Sequence, residues 1–130
     1  VPALVSYIDH ENRYQYVNQF YEEYFGVRQE EIAGRKVGEI LKKERLHEFR
    51  PRIAAVLAGG QVSFETTVCS RDGEFNTLSV QLIPDFGEND QVRGSFSMAT
   101  DITELRRNED ALRASEEMWR STTHTTHEQI

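Results

Sequence analysis

Ser95-Phe96-Ser97-Met98-Ala99-Thr100-Asp101-Ile102-Thr103-Glu104 is the stretch that decides how this chain is read. Up to Thr100 it has the alternation of a strand with one covered face, and it then passes through a polar capping element into a charged helix. From Leu105 an apolar residue followed by Arg returns every seven residues, as Leu105-Arg106, Leu112-Arg113 and Trp119-Arg120. Such a repeat keeps one seam of a helix turned toward a partner helix. A compact domain whose last strand feeds this helix is arranged to pass its state outward. The layout predicts a sensory or coupling module with Leu105, Leu112 and Trp119 on a dimer helix, supported by the i, i+4 pairs Glu109 with Arg113 and Glu116 with Arg120.

Working back from that strand, the apolar period is two. Phe96 and Met98 alternate with Ser95, Ser97 and Ala99, Leu78 and Val80 with Ser79 and Gln81, and Phe64, Thr66 and Val68 with Ser63, Glu65 and Thr67. The expected inner face therefore carries Phe64, Val68, Leu78, Val80, Phe96 and Met98, with Glu65 pointing the other way. Arg71-Asp72-Gly73-Glu74 supplies an Asp-Gly turn, and Pro84 to Asp90 reads as a polar loop. Before these strands the period is helical. Leu46, Phe49, Ile53, Val56 and Leu57 lead to Gly59-Gly60, and Pro51 reads as the first residue of that helix. Upstream, Asn18 caps an aromatic helix carrying Phe20, Tyr21, Tyr24 and Phe25, which Gly26 ends. Short turns at Arg28–Ala33 and Val37–Leu41 follow, and Leu4–Asp9 with Arg13–Asn18 forms an N-terminal hairpin. Two strands, then helices, then three strands give an α+β domain with the helices over one face of an antiparallel sheet.

Composition narrows the function classes. The chain has 130 residues, 38% of them hydrophobic, and a net charge of −7. This fits one core plus a connecting segment. The acidic balance disfavours nucleic acid as a partner. The longest apolar run, Ile53 to Ala58, is far too short to span a membrane. Cys69 is the only cysteine, so no internal disulfide forms, and a cytoplasmic setting is expected. The chain opens at Val1-Pro2 and ends in a polar stretch, as a segment cut from a longer protein would.

The chain resembles a PAS (Per-Arnt-Sim) sensor domain over nearly its whole length. The resemblance rests on Val5-Ser6-Tyr7-Ile8-Asp9, Tyr14-Gln15-Tyr16-Val17-Asn18, Tyr24-Phe25-Gly26, Ile32-Ala33-Gly34-Arg35, Gly94, Asp101-Ile102-Thr103-Glu104 and Ala114-Ser115-Glu116-Glu117. It implies a five-stranded antiparallel sheet enclosing a cavity beneath its helices. It also implies a place in cytoplasmic parts of bacterial sensor histidine kinases, diguanylate cyclases and related two-component or cyclic-dinucleotide proteins. The expected division is a sensor domain over 1–103, a coiled-coil connecting helix over 104–121, and a tail over 122–130 leading to a downstream domain. Ligand-cavity candidates are Tyr21, Tyr24, Phe25, Val37, Leu41, Phe49, Ile53, Phe64, Thr66, Leu78, Val80, Phe96 and Met98. Asp101, Ile102 and Thr103 are assigned to signal transmission, with Thr103 capping the exit helix.

No cofactor, metal or catalytic residue is expected. Flavin-binding relatives place a cysteine in a Gly-Arg-Asn-Cys segment, and here Gly34-Arg35-Lys36-Val37 puts Val37 at that position. Haem-binding relatives use an axial histidine on the longer helix, and His47 sits off that register beside Glu48 and Arg45. His124 and His127, at a spacing of three, lack the companions of a metal site. Three readings stand: a sensory input module, homodimeric and open to a small-molecule ligand; a ligand-free dimerisation spacer; and a small acid–base enzyme. The last needs a carboxylate aimed into the cavity, where every assigned strand position is apolar or Thr.

Overall fold

The computed structural model describes the backbone of residues 3–129 and the side chains of residues 3–121. Strands β1 (Leu4–Asp9) and β2 (Tyr14–Val17) form the N-terminal hairpin. Helices α1 (Gln19–Phe25), α2 (Gln29–Ile32), α3 (Val37–Ile40) and α4 (Lys43–Leu57) follow. Strands β3 (Val62–Cys69), β4 (Phe75–Phe86) and β5 (Val92–Asp101) complete an antiparallel sheet of order β2-β1-β5-β4-β3. The exit helix α5 (Thr103–Gln129) leaves directly from β5.

Local chemistry explains these elements. Asn18 Oδ1 accepts from the Tyr21 N–H and caps α1, while also accepting from Val5 N–H and so tying the cap to β1. Gly26 ends α1 in the left-handed conformation at φ 70°. The helices cover one sheet face, where Leu4, Val56, Val68, Leu78, Val80 and Leu82 form one buried cluster and Ile8, Tyr14, Val17, Ile32, Val37 and Ile53 a second.

Four expectations about the elements change. Pro51 lies inside α4 instead of opening it. Its missing N–H removes one helical bond, but Leu46, Phe49, Ile53 and Leu57 still form one continuous face packed on the core, and the donor would have met the carbonyl of exposed His47. Pro84 to Phe86 belongs to β4, not to a loop. Pairing with β3 stops at Val62 opposite Leu82, so beyond it β4 has only one neighbour and a proline is tolerated. The exit helix continues through Gln129, past Ser121 where the sequence reading ends it, and the side chains of His124 and His127 lie outside the described residues. Within α5, Glu109 pairs with Arg106 at 2.6 Å, and Arg113 pairs with Asp110 at 3.4 Å, where the sequence suggested Glu109 with Arg113.

The largest correction concerns β5. Phe96 and Met98 face away from the helices, each 42% exposed, while Ser95 and Ala99 are buried on the inner face. Pairing explains the inversion. Ser97 lies opposite Ser6 and Ala99 opposite Leu4, whereas Phe96 lies opposite Tyr7, whose ring meets it edge-on at 4.8 Å. This sheet carries apolar residues on its outer face too, so hydrophobicity alone does not choose the parity of β5. Val68, Leu78 and Val80 are buried on the inner face and Glu65 is exposed on the outer one, as their alternation predicts.

Candidate functional site: a cavity under the helices and its link to the exit helix

Between the sheet and the helices lies a cavity of about 330 Å3. Nine expected residues line it: Tyr21, Phe25, Val37, Leu41, Phe49, Ile53, Thr66, Leu78 and Val80. Four do not. Phe96 and Met98 are on the other face of the sheet. Phe64 sits on the inner side of edge strand β3, but Phe49 meets its ring edge-on at 5.1 Å and the Arg52 guanidinium lies 4.2 Å above it, so its faces are taken. Tyr24 turns away from the cavity, and its hydroxyl donates to Asp101 Oδ2 at 2.9 Å.

The polar part of the lining is what the sequence reading missed. Ser6 and Ser97 face inward from paired strands, Tyr14 reaches in from β2, and Lys42 and Arg45 come from the start of α4. Tyr14 and Tyr21 stand together in the lining, where each phenol acts on the other. Burial pushes both phenols above their ordinary value, well above it for Tyr14, and the Arg45 charge pulls both back. Thr66 is buried and donates to Glu48 Oε2 at 3.1 Å. Ser6 shares the inward parity of Leu4 and Ile8 on β1, and Ser97 was legible only through the parity of β5. His47 is exposed on α4 and lines no part of the cavity, and Cys69 is an exposed thiol at its rim. Among the described residues no group of acidic, His and Cys side chains has the arrangement of a metal site.

The cavity touches the exit of the domain. Leu78, in its wall, pairs across the sheet with Asp101. Asp101 Oδ1 accepts from Thr103 N at 2.9 Å and from Thr103 Oγ1 at 2.6 Å. Thr103 Oγ1 in turn accepts from Thr77 N at 2.8 Å, and Ile102 N donates to the Thr77 carbonyl. Asp101 is thus the cap, and Thr103 is a cross-link to β4 instead of the cap expected of it. Partial burial works against the Asp101 carboxylate, yet the bonds from Thr103 and Tyr24 together hold its pKa below the ordinary value. For Tyr24, burial and then the bond to Asp101 push the phenol up to about 12. One turn on, Arg106 forms a two-pronged pair with Glu65 on the outer face of β3, at 2.9 and 2.5 Å. Neither Tyr24 nor Arg106 was assigned to this junction from the sequence.

The family described as PAS fold matches residues 1–107, which takes in the sheet, the cavity and the junction. The chain belongs to the PAS family. PAS domains are sensing and signalling modules and are generally not catalytic, so the cavity and its exit helix stand in a family context of signal reception. No curated protein matches the chain. Solved structures share its fold. A PAS domain from Colwellia psychrerythraea is 23% identical over 78% of this chain and 87% of its own, with a TM-score of 0.64. The Cronobacter turicensis RpfR quorum-sensing receptor PAS domain in complex with BDSF is 20% identical, covering 79% of this chain and 96% of its own, with a TM-score of 0.63. The Vibrio cholerae VqmA dimer is 22% identical over 80% of this chain, which spans only 48% of that one, with a TM-score of 0.71. Among the described residues no helix is long and apolar enough to cross a membrane.

Proposed function

We propose that this PAS domain is a sensory input module in which a small, largely apolar molecule occupies the cavity and changes the setting of α5. The observation that carries this reading is the position of Asp101. It pairs with cavity-lining Leu78 and accepts from Tyr24, whose ring packs 5.0 Å from that of cavity-lining Phe25. A molecule that pushes on Phe25 or Leu78 therefore acts on both neighbours of the residue that caps α5. Two settings separated by a few kcal/mol would suffice for modest ligand contacts to shift the balance. The cavity size suits a small ligand. Its lining contains no Asp, Glu or His, which argues against the acid–base enzyme.

The test is a thermal-shift screen of small metabolites, followed by hydrogen exchange at the start of α5 with the best binder. Dose-dependent stabilisation together with altered exchange at Ile102 and Arg106 supports sensing. Stabilisation that leaves this exchange untouched separates binding from output and sinks the reading. If no molecule stabilises the domain, the ligand-free spacer takes its place.

The domain carries neither flavin nor haem in this reading, since Val37 offers no thiol and His47 faces solvent. The purified protein should show flat visible absorbance, and a stoichiometric band surviving dialysis would refute it.

The output side is a parallel homodimer through α5, feeding a downstream domain of the same protein. Leu105, Leu112 and Trp119 are 53%, 62% and 70% exposed on one seam, while Ile102 and Arg106 take the side toward the sheet. Glu109 and Glu116 occupy the other seam position, so only half of the seam is apolar and dimerisation should be weak. Replacing Leu105 and Leu112 with Ser should lower the dimer fraction in sedimentation and leave the thermal midpoint of the sheet unchanged. A dimer indifferent to this double change would place the interface elsewhere, on the N-terminal strand or the outer sheet face.

A further inference from the structure

The depth of the cavity is mostly apolar, with only the hydroxyls of Ser6, Thr66 and Ser97 on its sheet wall, while its mouth is cationic. Lys42 and Arg45 both line it there, and no acidic residue does. Arg45 is half-buried, and its guanidinium donates to the Thr67 carbonyl at 3.0 Å. It has no carboxylate partner among the described residues, although Glu48 stands at i+3, where such a partner ordinarily sits. Glu48 is instead engaged by Thr66 Oγ1 at 3.1 Å and by Arg52 at 3.9 Å. A guanidinium has five N–H donors, and a single carbonyl leaves most of them free.

Donors also converge from the β2 and α1 side. Tyr14 and Tyr21 both line the cavity, and a phenolic O–H is a donor a ligand there can use. Arg45 lines the same cavity as these two phenols, and its charge lowers both against the burial that raises them. An apolar ligand without a polar end would leave these donors unmatched. A neutral acceptor would use some of them without meeting the charge. A carboxylate is planar, accepts two N–H bonds from one guanidinium, and meets the charge as well.

Resting on the sensory reading above, we infer that the cavity takes a small apolar molecule bearing one carboxylate, with the carboxylate held by Arg45 at the mouth and the apolar part among Phe25, Ile53, Leu78 and Val80. Arg45 supplies the paired donors, Tyr14 and Tyr21 offer phenolic O–H groups beside it, and Lys42 adds positive charge. The specificity lies at the mouth, and the depth of the cavity accepts different apolar shapes.

Two matched pairs of probes test this on the 130-residue chain. They are octanoate against octanamide, and 3-phenylpropanoate against 3-phenylpropanamide, each titrated calorimetrically at neutral pH. At least one carboxylate should bind roughly tenfold to a hundredfold tighter than its amide, the range for a hydrogen bond to a charged group. Arg45→Gln should erase that preference without weakening the amide, and Arg45→Lys should keep part of it. A thermal midpoint close to that of the unmodified chain shows that each variant is folded. Equal binding of acid and amide overturns the anionic assignment and leaves the cavity reading standing. A preference that survives Arg45→Gln but not Lys42→Gln moves the recognition to the wrong cation and overturns the assignment to Arg45. If a neutral metabolite binds in the screen while neither carboxylate does, only the anionic assignment fails. If nothing binds by either method, both fail.

Discussion

Gly94→Ala should destabilise the domain by about 3 kcal/mol, read as a lowered urea midpoint, because it forces extra volume into a site with no room. A Cβ at Gly94 would collide with Tyr7 Oη, stand 2.6 Å from Tyr7 Cζ, and stand 2.7 Å from the Ile8 carbonyl oxygen. The ring is not free to swing aside. Its hydroxyl donates to Asp85 Oδ2 at 2.7 Å, and Arg93 Nε holds the same oxygen at 3.0 Å. Burial and the bond to Asp85 push the Tyr7 phenol up to about 12, so the hydroxyl remains a donor through the neutral range. The Ile8 carbonyl is backbone of the paired strand and can move only if β1 moves.

A double-mutant cycle separates the two obstacles. Tyr7→Ala removes the ring and should itself cost about 1–2 kcal/mol through the lost bond and edge contact. Were the ring the whole obstacle, adding Gly94→Ala to Tyr7→Ala would cost nothing further. The Ile8 carbonyl predicts a residual cost of about 1 kcal/mol or more. A Gly94→Ala protein with an unchanged midpoint would show that β5 can slide against β1. That would undo the account of which residues face the cavity.

The same contact explains what was and was not readable in the sequence. Most elements announce themselves through local chemistry: Asn18 and Gly26 bound α1, the Asp72-Gly73 turn joins β3 to β4, and the inward parity of Val68, Leu78 and Val80 follows from their hydrophobicity. The parity of β5 does not. Its apolar members Phe96 and Met98 pack beside Tyr7 and Val5 on the outer face, and its small members Ser95, Ser97 and Ala99 lie over the cavity and core. The signal was present but non-local. Asp101 must reach the helix-covered side to meet Tyr24, and Ala99, Ser97 and Ser95 share its parity. The mouth of the cavity was hidden for a related reason. Lys42 and Arg45 carry no local mark of a site, and only the fold brings them into one lining with Tyr14 and Tyr21, more than twenty residues away in the chain. The exit junction was half legible: Asp101, Ile102 and Thr103 stood out as a capping element, while their partners Tyr24, Asn76 and Thr77 come from elements with no local mark of that role.

Asp101→Asn should weaken the domain by about 1.5–3 kcal/mol at neutral pH and loosen the first turn of α5, since it removes a charged acceptor of three hydrogen bonds. An amide has one oxygen. If it faces Thr103, its NH2 group confronts the Tyr24 hydroxyl; if it faces Tyr24, the Thr103 N–H loses its acceptor. Tyr24 still has the Asn76 amide, which donates to its oxygen at 3.1 Å, but that bond gives the tyrosine proton no place to go. The pH dependence identifies the charge as the cause. The folded-state pKa of Asp101 is depressed, so its contribution is fully present above the unfolded carboxylate value of about 3.9 and is lost as pH falls through the folded value. The stability gap between the unmodified chain and Asp101→Asn should therefore be constant above about pH 5 and close below about pH 4. Tyr24→Phe removes one of the three bonds and should give a smaller loss, with the acid dependence reduced but not abolished because the Thr103 bonds still hold the carboxylate. Combined with Asp101→Asn it should add less than its separate cost, because both changes break one network. Hydrogen exchange at Ile102 and Arg106 should quicken in Asp101→Asn more than exchange in β1, which lies beyond β5 from β4. An Asp101→Asn protein with neutral-pH stability and helix exchange equal to the unmodified chain would mean that α5 is held by Thr103–Thr77 and Arg106–Glu65 alone. The path from cavity to helix would then run through β4 and β3, without the aromatic helix α1.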